Sequence, residues 1–156
     1  RRSSAASDVY KRQDIYPGDK IERNDWSVHS SLAEHVQPFL DSLAYRLEIN
    51  GKSIVFTGDT RPCESVEKLA YKADYLVSLC IALQSQISGT PEAEYMMGHL
   101  DAGNLAKNAK VKNLILVHEA LNISSENNFI QAIKDINKIF SGNVIQSYEM
   151  TSYNLD

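Results

Sequence analysis

The sequence predicts an α/β layered fold, and three observations carry this prediction. An apolar run at 54–56 ends in Thr57-Gly58-Asp59-Thr60, which suits a buried strand with a carboxylate at its carboxyl end. Glycine at this point leaves the backbone free to turn. A second apolar run, at 114–117, ends in His118 in the same way. Strand patterns then alternate with helical patterns, which indicates a layered unit with its ligands at one edge of the sheet.

A β-hairpin opens the alternating region. Residues 42–49 alternate apolar and polar side chains as a half-buried strand does, and Asn50-Gly51 predicts a type I′ turn. The chain returns antiparallel over 52–57, and this completes the hairpin. Ahead of it, residues 26–36 alternate loosely and predict another strand, which Pro38 ends or bends.

Helices and strands are expected to alternate from there on. A helix opens at Thr60 or Arg61, with Pro62 in its first turn and Thr60 as its cap. Further helices are expected near 90–92, at 100–109 and at 127–140, and strands at 75–79, 111–118 and 144–148. Residues 85–89 have a loop-like composition. The helix at 127–140 is the clearest, because its apolar residues share one face: Phe129, Ile130, Ile133, Ile136 and Ile139.

Composition is that of a globular domain. Hydrophobic residues make up 43% of the 156 residues, which is enough for a core, and no segment approaches the about 18 consecutive apolar residues of a membrane helix. A net charge of −4 gives no overall basic field for nucleic acid, although a local basic patch would not show in this sum. Cys63 and Cys80 are too few for a disulfide framework and too far apart for a CxxC site, so we expect two reduced thiols.

The first residues have an unusual origin. Residues 1–13 lack apolar periodicity and the apolar region of a signal peptide. The codons TCA GAT GTG TAT AAG AGA CAG of a transposase adapter, used in preparing DNA libraries, translate to the segment at 7–13. We therefore expect residues 1–13 to be a disordered sequencing-adapter artefact joined to a gene fragment, with the genuine protein starting near Asp14. An ordinary polar tail is the alternative.

Four side chains are candidates for chemistry. Asp59 ends a buried strand, where a carboxylate is costly unless it is paired or bound to metal. It can bridge two divalent ions, which clamp a water and stabilise a phosphoester displacement. His118 ends a similar strand as a metal ligand or as a satisfied buried histidine, and His35 ends the strand before the hairpin. His99 lies between two helical segments, where a loop-borne imidazole suits a proton donor. His29 has no partner pattern and is interpreted as structural.

These motifs together resemble the C-terminal half of a metallo-β-lactamase-fold hydrolase (an αββα fold), in the ribonuclease Z and arylsulfatase-like branch. That group has a histidine ahead of a Gly-Tyr-Arg strand, then a Ser-Gly-Asp-Thr strand, a helix and Leu-Thr-His. Here the corresponding motifs are Ala44-Tyr45-Arg46, Gly58-Asp59-Thr60 and His118. The resemblance covers 24–120 well and 121–156 loosely.

The resemblance implies a set of roles. His35, Asp59 and His118 would be metal ligands, with Asp59 bridging two Zn²⁺ ions and counted among the catalytic residues. Mn²⁺ is an alternative ion. His99 would be the histidine that protonates the leaving group, since it matches the family's non-ligand histidine by order along the chain.

Two departures qualify these roles. The family's His-x-His-x-Asp-His motif is absent, and the sequence contains no His-x-His pair. Truncation is favoured over a diverged pseudo-enzyme, so residues 14–156 are expected to be the C-terminal part of a single domain. Residues 78–81 also replace the His-Glu-Ala-Thr motif of ribonuclease Z, and the connection from Tyr45 to Asp59 leaves no room for an inserted tRNA-gripping arm.

The sequence thus predicts part of a metal-dependent hydrolase in which a metal-bound hydroxide attacks an ester, with a phosphodiester as first choice. The expected substrate is a small-molecule or nucleotide ester, and RNA is less favoured. The alternatives are a ribonuclease Z-like endonuclease that processes tRNA 3′ ends and, in another class, a non-enzymatic α/β binding module. The fragment is expected to be inactive or weakly active. A cytoplasmic location is expected, no membrane partner is expected, and a homodimer is left open.

Overall fold

The computed structural model describes residues 14–120, 123 and 125–154. Its strands run in chain order, from β1 to β7, across one seven-stranded sheet. The strands are β1 (Lys20–Glu22), β2 (Trp26–Ala33), β3 (Ser42–Ile49), β4 (Lys52–Phe56), β5 (Tyr75–Leu79), β6 (Asn113–Val117) and β7 (Asn143–Gln146). The α-helices are α1 (Glu64–Ala70), α2 (Gln84–Ile87), α3 (His99–Asn108) and α4 (Glu126–Ile136), with a 3₁₀ turn at Pro91–Glu94.

The sheet is mixed, as the sequence predicts. Strands β1 to β4 pair antiparallel, whereas β4, β5, β6 and β7 pair parallel in that order. The hairpin turn is confirmed, because Asn50 (φ 50°) and Gly51 (φ 74°) both take the positive φ of a type I′ turn. The change from antiparallel to parallel pairing places the carboxyl ends of β4, β5 and β6 at one edge of the sheet.

The core lies between the sheet and its helices. Val55, Leu76 and Leu116, one from each central strand, have no exposed surface. They join one apolar cluster with Val66 of α1 and Phe129 of α4. Because side chains alternate along a strand, the neighbours of these residues point to the opposite face. Burial of one face therefore fixes the direction in which each strand delivers its last side chains.

The structure moves several element boundaries. Helix α1 begins at Glu64 and not at Thr60 or Arg61, and the expected cap is wrong, since no side chain caps this helix. Thr60 is fully buried and its hydroxyl bonds to the backbone of Glu34. Short α2 forms within the expected loop at 85–89.

The expected apolar face of the last helix is also revised. Helix α4 ends at Ile136, and Ile130 is 43% exposed, whereas Phe129 and Ile136 are buried. The edge strand β1 was not predicted from the sequence, because its three residues are too few for a period-two pattern. The expected artefact at 1–13 lies outside the described residues. No helix in the part of the chain described here is long and apolar enough to span a membrane.

Asp74 ties the start of β5 to its neighbours, and it makes stability depend on pH. The Lys112 ammonium, 2.6 Å away, and the Ser53 N–H and hydroxyl, at 2.8 and 3.0 Å, hold the pKa of Asp74 down to about 2. A carboxylate with a lowered folded-state pKa stabilises the fold above its unfolded pKa of about 3.9, and this contribution disappears as the pH falls towards 2.

We therefore expect Asp74→Asn to lower the free energy of unfolding by about 1–2 kcal/mol at pH 7, because solvent around the exposed Lys112 screens part of the interaction. Its effect should vanish by about pH 2. Urea denaturation between pH 2 and 7 measures both, with Asp25→Asn in an exposed turn as the matched control. Parallel pH profiles for the two variants would show that Asp74 is not the group responsible.

Candidate active site

Asp59 is placed by a backbone turn that favours glycine. Gly58 follows β4 with φ +60°, and a Cβ there would lie 3.1 Å from the carbonyl oxygen of Leu43 on the neighbouring strand. Both the positive φ and this close approach disfavour a side chain at this position. The turn leaves the Asp59 carboxylate exposed at the carboxyl edge of the sheet.

Asp59 and His118 meet at this edge. Asp59 Oδ1 lies 2.8 Å from His118 Nδ1, and the two side chains are 41% and 53% exposed. Strand β5 separates β4 from β6, so the two residues reach each other over the end of the intervening strand. His118 adopts φ 58°, which turns the chain as β6 ends. The structure thus brings a carboxylate and an imidazole together at the carboxyl ends of two parallel strands.

A small pocket adjoins this pair. Its volume is about 210 Å³, and apolar side chains of the central strands line it beside Asp59 and His118: Phe56, Val77, Leu79 and Val117. An apolar wall next to a charged pair lowers the local polarity, which strengthens electrostatic interactions with a bound group. The pocket is therefore suited to hold the reacting part of a substrate against the pair.

His35 lies in the segment that follows β2, on the neighbouring side of the Asp59 turn. Glu34, next to it, is fixed to that turn by the ion pair of its carboxylate with Arg61 at 2.6 Å and by the Arg61 N–H, which donates to its carbonyl at 2.7 Å. The His35 ring, however, points to Tyr95, whose carbonyl oxygen is 2.9 Å from Nδ1. Because a carbonyl only accepts, Nδ1 carries the proton and the lone pair on Nε2 stays available as a ligand.

His99 is placed differently from its expected position. It is the first residue of α3 and 3% exposed, so the expectation that it is loop-borne is wrong. Its Nδ1 accepts the Gln84 N–H at 2.8 Å, and Nε2 faces Asp135 Oδ2 at 3.6 Å. Burial lowers the pKa of His99, against the opposing charge of Asp135. The ring therefore joins α2, α3 and α4, and its role as a proton donor stays a prediction.

Two other polar groups near this edge are shielded from water. Cys80, directly after β5, has no exposed surface, and burial raises its pKa to about 12. It is therefore a protonated, unreactive thiol. Burial also raises the pKa of Glu119, the residue after His118. Cys80 is a packing residue, as expected for a reduced thiol.

Two of the three predicted metal ligands, Asp59 and His118, lie together at this edge. Carboxylate and imidazole are suitable ligands for Zn²⁺, and Asp59 and His118 are in contact. Within residues 14–120, 123 and 125–154, however, no three or more His, Cys, Asp or Glu side chains come close enough to hold an ion together. His35 therefore does not join the pair. The donor chemistry fits a divalent metal, whereas the number of donors does not complete a site.

We compared the chain with known protein families, sequences and structures. No family model matches the chain. Ribonuclease Z of Chlamydia trachomatis is 28% identical over 138 residues, which cover 88% of this chain and 41% of the relative. Ribonuclease Z of Mycobacterium tuberculosis is 28% identical over 107 residues, which cover 65% of this chain and 38% of the relative.

Solved structures give the same fold. The metallo-β-lactamase fold protein YhfI of Bacillus subtilis superposes with a TM-score of 0.70 at 22% identity, over 85% of this chain and 51% of that one. Zn²⁺-bound PqqB of Methylobacterium extorquens superposes with a TM-score of 0.69 at 14% identity, over 96% of this chain and 57% of that one. The chain has the metallo-β-lactamase fold.

This metallo-β-lactamase-fold chain spans less than half the length of both ribonuclease Z relatives. It spans 41% of the Chlamydia relative and 38% of the mycobacterial one. Sequence analysis found Asp59 and His118 but missed the residues that arrange the segments around them. Tyr95 contacts the His35 ring through a backbone carbonyl, and a backbone acceptor leaves no signal in the sequence. The Glu34–Arg61 ion pair joins residues from separate loops, which no local pattern reveals.

Gly58→Ala tests the turn that positions Asp59. We expect it to lower the free energy of unfolding by about 1–3 kcal/mol, since alanine adds a positive-φ penalty of about 1–2 kcal/mol and a contact with Leu43. Gly51→Ala is the matched control, because Gly51 has φ +74° but open space around it. Urea denaturation measures stability, and the imidazole NMR signals of His118 report whether Asp59 still contacts it. Equal losses in both variants, with an unchanged His118 signal, would contradict the role of the Leu43 contact.

Zinc binding tests whether Asp59 and His118 are metal ligands. We expect the 156-residue chain to bind Zn²⁺ far more weakly than complete structural sites, whose binding free energies are about 10–16 kcal/mol. Asp59→Ala and His118→Ala should each weaken it further, whereas Asp25→Ala should not. Isothermal titration calorimetry measures the affinity and the stoichiometry. Tight binding of two zinc ions per chain would show that the site is complete.

Proposed function

We propose that this chain is the C-terminal part of a metal-dependent hydrolase that cleaves phosphodiesters. The observation that carries the proposal is the 2.8 Å contact between Asp59 and His118 at the carboxyl edge of the parallel strands. The remaining ligands would come from a His-x-His-x-Asp-His segment outside this chain. The fold and the ribonuclease Z relatives support this assignment.

Each residue has a distinct part in the proposal. Asp59, His118 and His35 would hold the metal, and the Tyr95 carbonyl keeps His35 in the tautomer whose Nε2 is a ligand. Zn²⁺ is the proposed ion, with two per complete site and Mn²⁺ as the alternative; such ions supply an activated water when bound. The pocket beside the pair, lined by apolar side chains, would hold the reacting ester.

His99 is the proposed proton donor, and its placement adds a second task. Its Nδ1 accepts the Gln84 N–H at the start of α2, and the segment that follows carries Tyr95. A neutral His99 therefore also holds the segment that contacts His35. To act as the donor, His99 would first take up a proton at Nδ1, which breaks the bond from Gln84, and would then give up the proton of Nε2, the atom that faces Asp135.

A ribonuclease Z-like endonuclease that processes tRNA 3′ ends is the specific form of this proposal favoured by the relatives. Both relatives described above are ribonuclease Z proteins. Residues 78–81 and the short connection before Asp59 differ from that enzyme's pattern, so other nucleotide or small-molecule esters stay as alternative substrates. A cytoplasmic location and a homodimer stay predictions as well.

The non-enzymatic binding module is the alternative from another class. It treats the histidines as accidental, and the separate placement of His35 is the observation that favours it. The contact between Asp59 and His118 favours the enzyme instead, because a purely structural fold has no need of an exposed carboxylate–imidazole pair at the end of two parallel strands.

Activity of the complete protein decides between these functions. The upstream coding sequence is recovered from intact genomic DNA, and the complete protein is assayed with precursor tRNA and with bis(p-nitrophenyl) phosphate in Zn²⁺ or Mn²⁺. We expect Asp59→Ala to lower kcat/KM by at least about 100-fold, since it removes a metal ligand. Asp25→Ala is the control.

Each outcome has one meaning. Cleavage of both substrates supports the general phosphodiesterase, and cleavage of precursor tRNA alone supports the ribonuclease Z-like form. Activity that survives Asp59→Ala, or its absence with every metal tested, overturns the enzyme proposal in favour of the binding module.

A further inference from the structure

A second pocket lies between two loops near the candidate active site. One loop follows β2, and the other connects α2 to α3. The pocket has a volume of about 270 Å³ and is lined by six residues: His35, Val36, Gln37, Phe39, Glu94 and Tyr95. We call it the aromatic pocket. Its volume lies just below the about 300–1,000 Å³ of drug-sized ligand pockets, so it suits one small group.

Backbone contacts place the aromatic pocket next to Asp59. The Glu34 N–H donates to the Thr60 hydroxyl at 3.0 Å, and the Arg61 N–H donates to the Glu34 carbonyl at 2.7 Å. Thr60 and Arg61 directly follow Asp59 in the chain, and His35 directly follows Glu34. A group in the pocket would therefore lie beside an ester held at Asp59.

Phe39 is an exposed aromatic residue of this pocket. It is 90% exposed, so it contributes almost nothing to the core. Single exposed apolar residues are ordinary on protein surfaces, but Phe39 lines the pocket together with Tyr95. The Tyr95 ring meets the His35 ring edge to face, with centres 5.6 Å apart and planes at 72°. The pocket thus offers aromatic surface to a ligand.

The charge of the pocket is suited to a cation. No Lys or Arg side chain is among the described residues that line it, and Glu94 is its one carboxylate. In the described part of the chain Glu94 forms no ion pair, whereas Glu34 close by is paired with Arg61 at 2.6 Å. An unpaired carboxylate and the faces of aromatic rings both attract positive charge.

Hydrogen bonds within the pocket favour one kind of cation. The side-chain oxygen of Gln37 accepts the His35 N–H at 2.8 Å. The Tyr95 carbonyl accepts from the His35 ring at 2.9 Å. These two oxygens therefore already have a donor. A primary ammonium needs acceptors for three N–H groups, whereas a quaternary ammonium needs none and packs its methyl groups against aromatic rings.

We propose that the aromatic pocket binds a quaternary ammonium group of the substrate. The substrate would be a phosphodiester with a trimethylammonium group on one of its two alcohols. Its phosphate would lie at the Asp59–His118 edge, and its ammonium group would lie among Phe39, Glu94 and Tyr95. This inference rests on the proposed phosphodiesterase function and names the substrate class of the same site. It assigns Phe39 and Glu94 to specificity and gives them no part in bond cleavage.

Choline and its uncharged analogue 3,3-dimethyl-1-butanol test the pocket in the 156-residue chain. The two molecules have the same shape, and the replacement of nitrogen by carbon removes the charge. Each is added to about 50 mM, which would fill most of a site with a Kd near 1 mM, while the NMR signals of the His35 and Tyr95 rings are followed.

We expect choline to shift these signals and to bind at least about tenfold more tightly than the analogue, because the rings and Glu94 attract its charge. Equal affinity for the two molecules, or no shift with choline, overturns the proposal.

Two substitutions should weaken choline binding. Glu94→Gln removes the charge and keeps the shape, and Phe39→Leu keeps an apolar side chain but removes the ring. We expect each to weaken choline binding at least about fivefold. Circular dichroism establishes that the variants fold.

The matched controls are Glu92→Gln, in the same 3₁₀ turn as Glu94, and Leu40→Ala, beside Phe39. Neither Glu92 nor Leu40 lines the pocket, so choline affinity should stay within about twofold of the parent chain. Losses in the controls equal to those in Glu94→Gln and Phe39→Leu would contradict the assignment.

Turnover by the complete protein separates this inference from the proposed hydrolysis. We expect p-nitrophenyl phosphorylcholine to have a KM at least about fivefold below that of p-nitrophenyl 3,3-dimethylbutyl phosphate, and Glu94→Gln to remove this difference. If choline binds as expected and the complete protein cleaves no phosphodiester, the catalytic proposal fails alone. If bis(p-nitrophenyl) phosphate is cleaved and choline binds no better than its analogue, the pocket proposal fails alone.

Discussion

Parallel pairing of β4, β5 and β6 is the constraint on which the candidate site depends. Val55, Leu76 and Leu116 bury one face of these strands under the helices, and a shift of register by one residue would turn each of them outward. Register is therefore fixed by the core. Because the strands run in the same direction, their carboxyl ends share one edge, where Asp59 and His118 meet.

The segments above this edge are held mainly by backbone contacts. Thr60, buried below the Asp59 turn, bonds to Glu34, and the carbonyl of Tyr95 accepts the proton of the His35 ring. These bonds orient groups without adding charge to the site. The two histidines differ in their exposure to solvent. His118 is open to solvent, whereas His99 is buried among three helices. An exposed imidazole can take up a ligand, whereas the buried one lies between the Gln84 N–H and the Asp135 carboxylate.

The two edges of the sheet differ in charge. The carboxyl edge presents the Asp59 carboxylate and the His118 imidazole, whereas the opposite edge presents the ion pair of Asp74 with Lys112.

Much of the fold of this protein can be predicted from its sequence. The hairpin, the central strands, α3, and Asp59 and His118 as strand-end groups follow from alternation, apolar runs and the Asn50-Gly51 turn, because these signals depend on neighbouring residues. Contacts between distant segments are not encoded in this way. The start of α1 at Glu64, the burial of Thr60 and His99, and the turn of His35 towards Tyr95 depend on bonds formed only when the loops pack over the sheet. The aromatic pocket likewise requires the loops of Phe39 and Tyr95, far apart in the chain, to meet, and the hydrogen bond between the His35 ring and the Tyr95 carbonyl joins them.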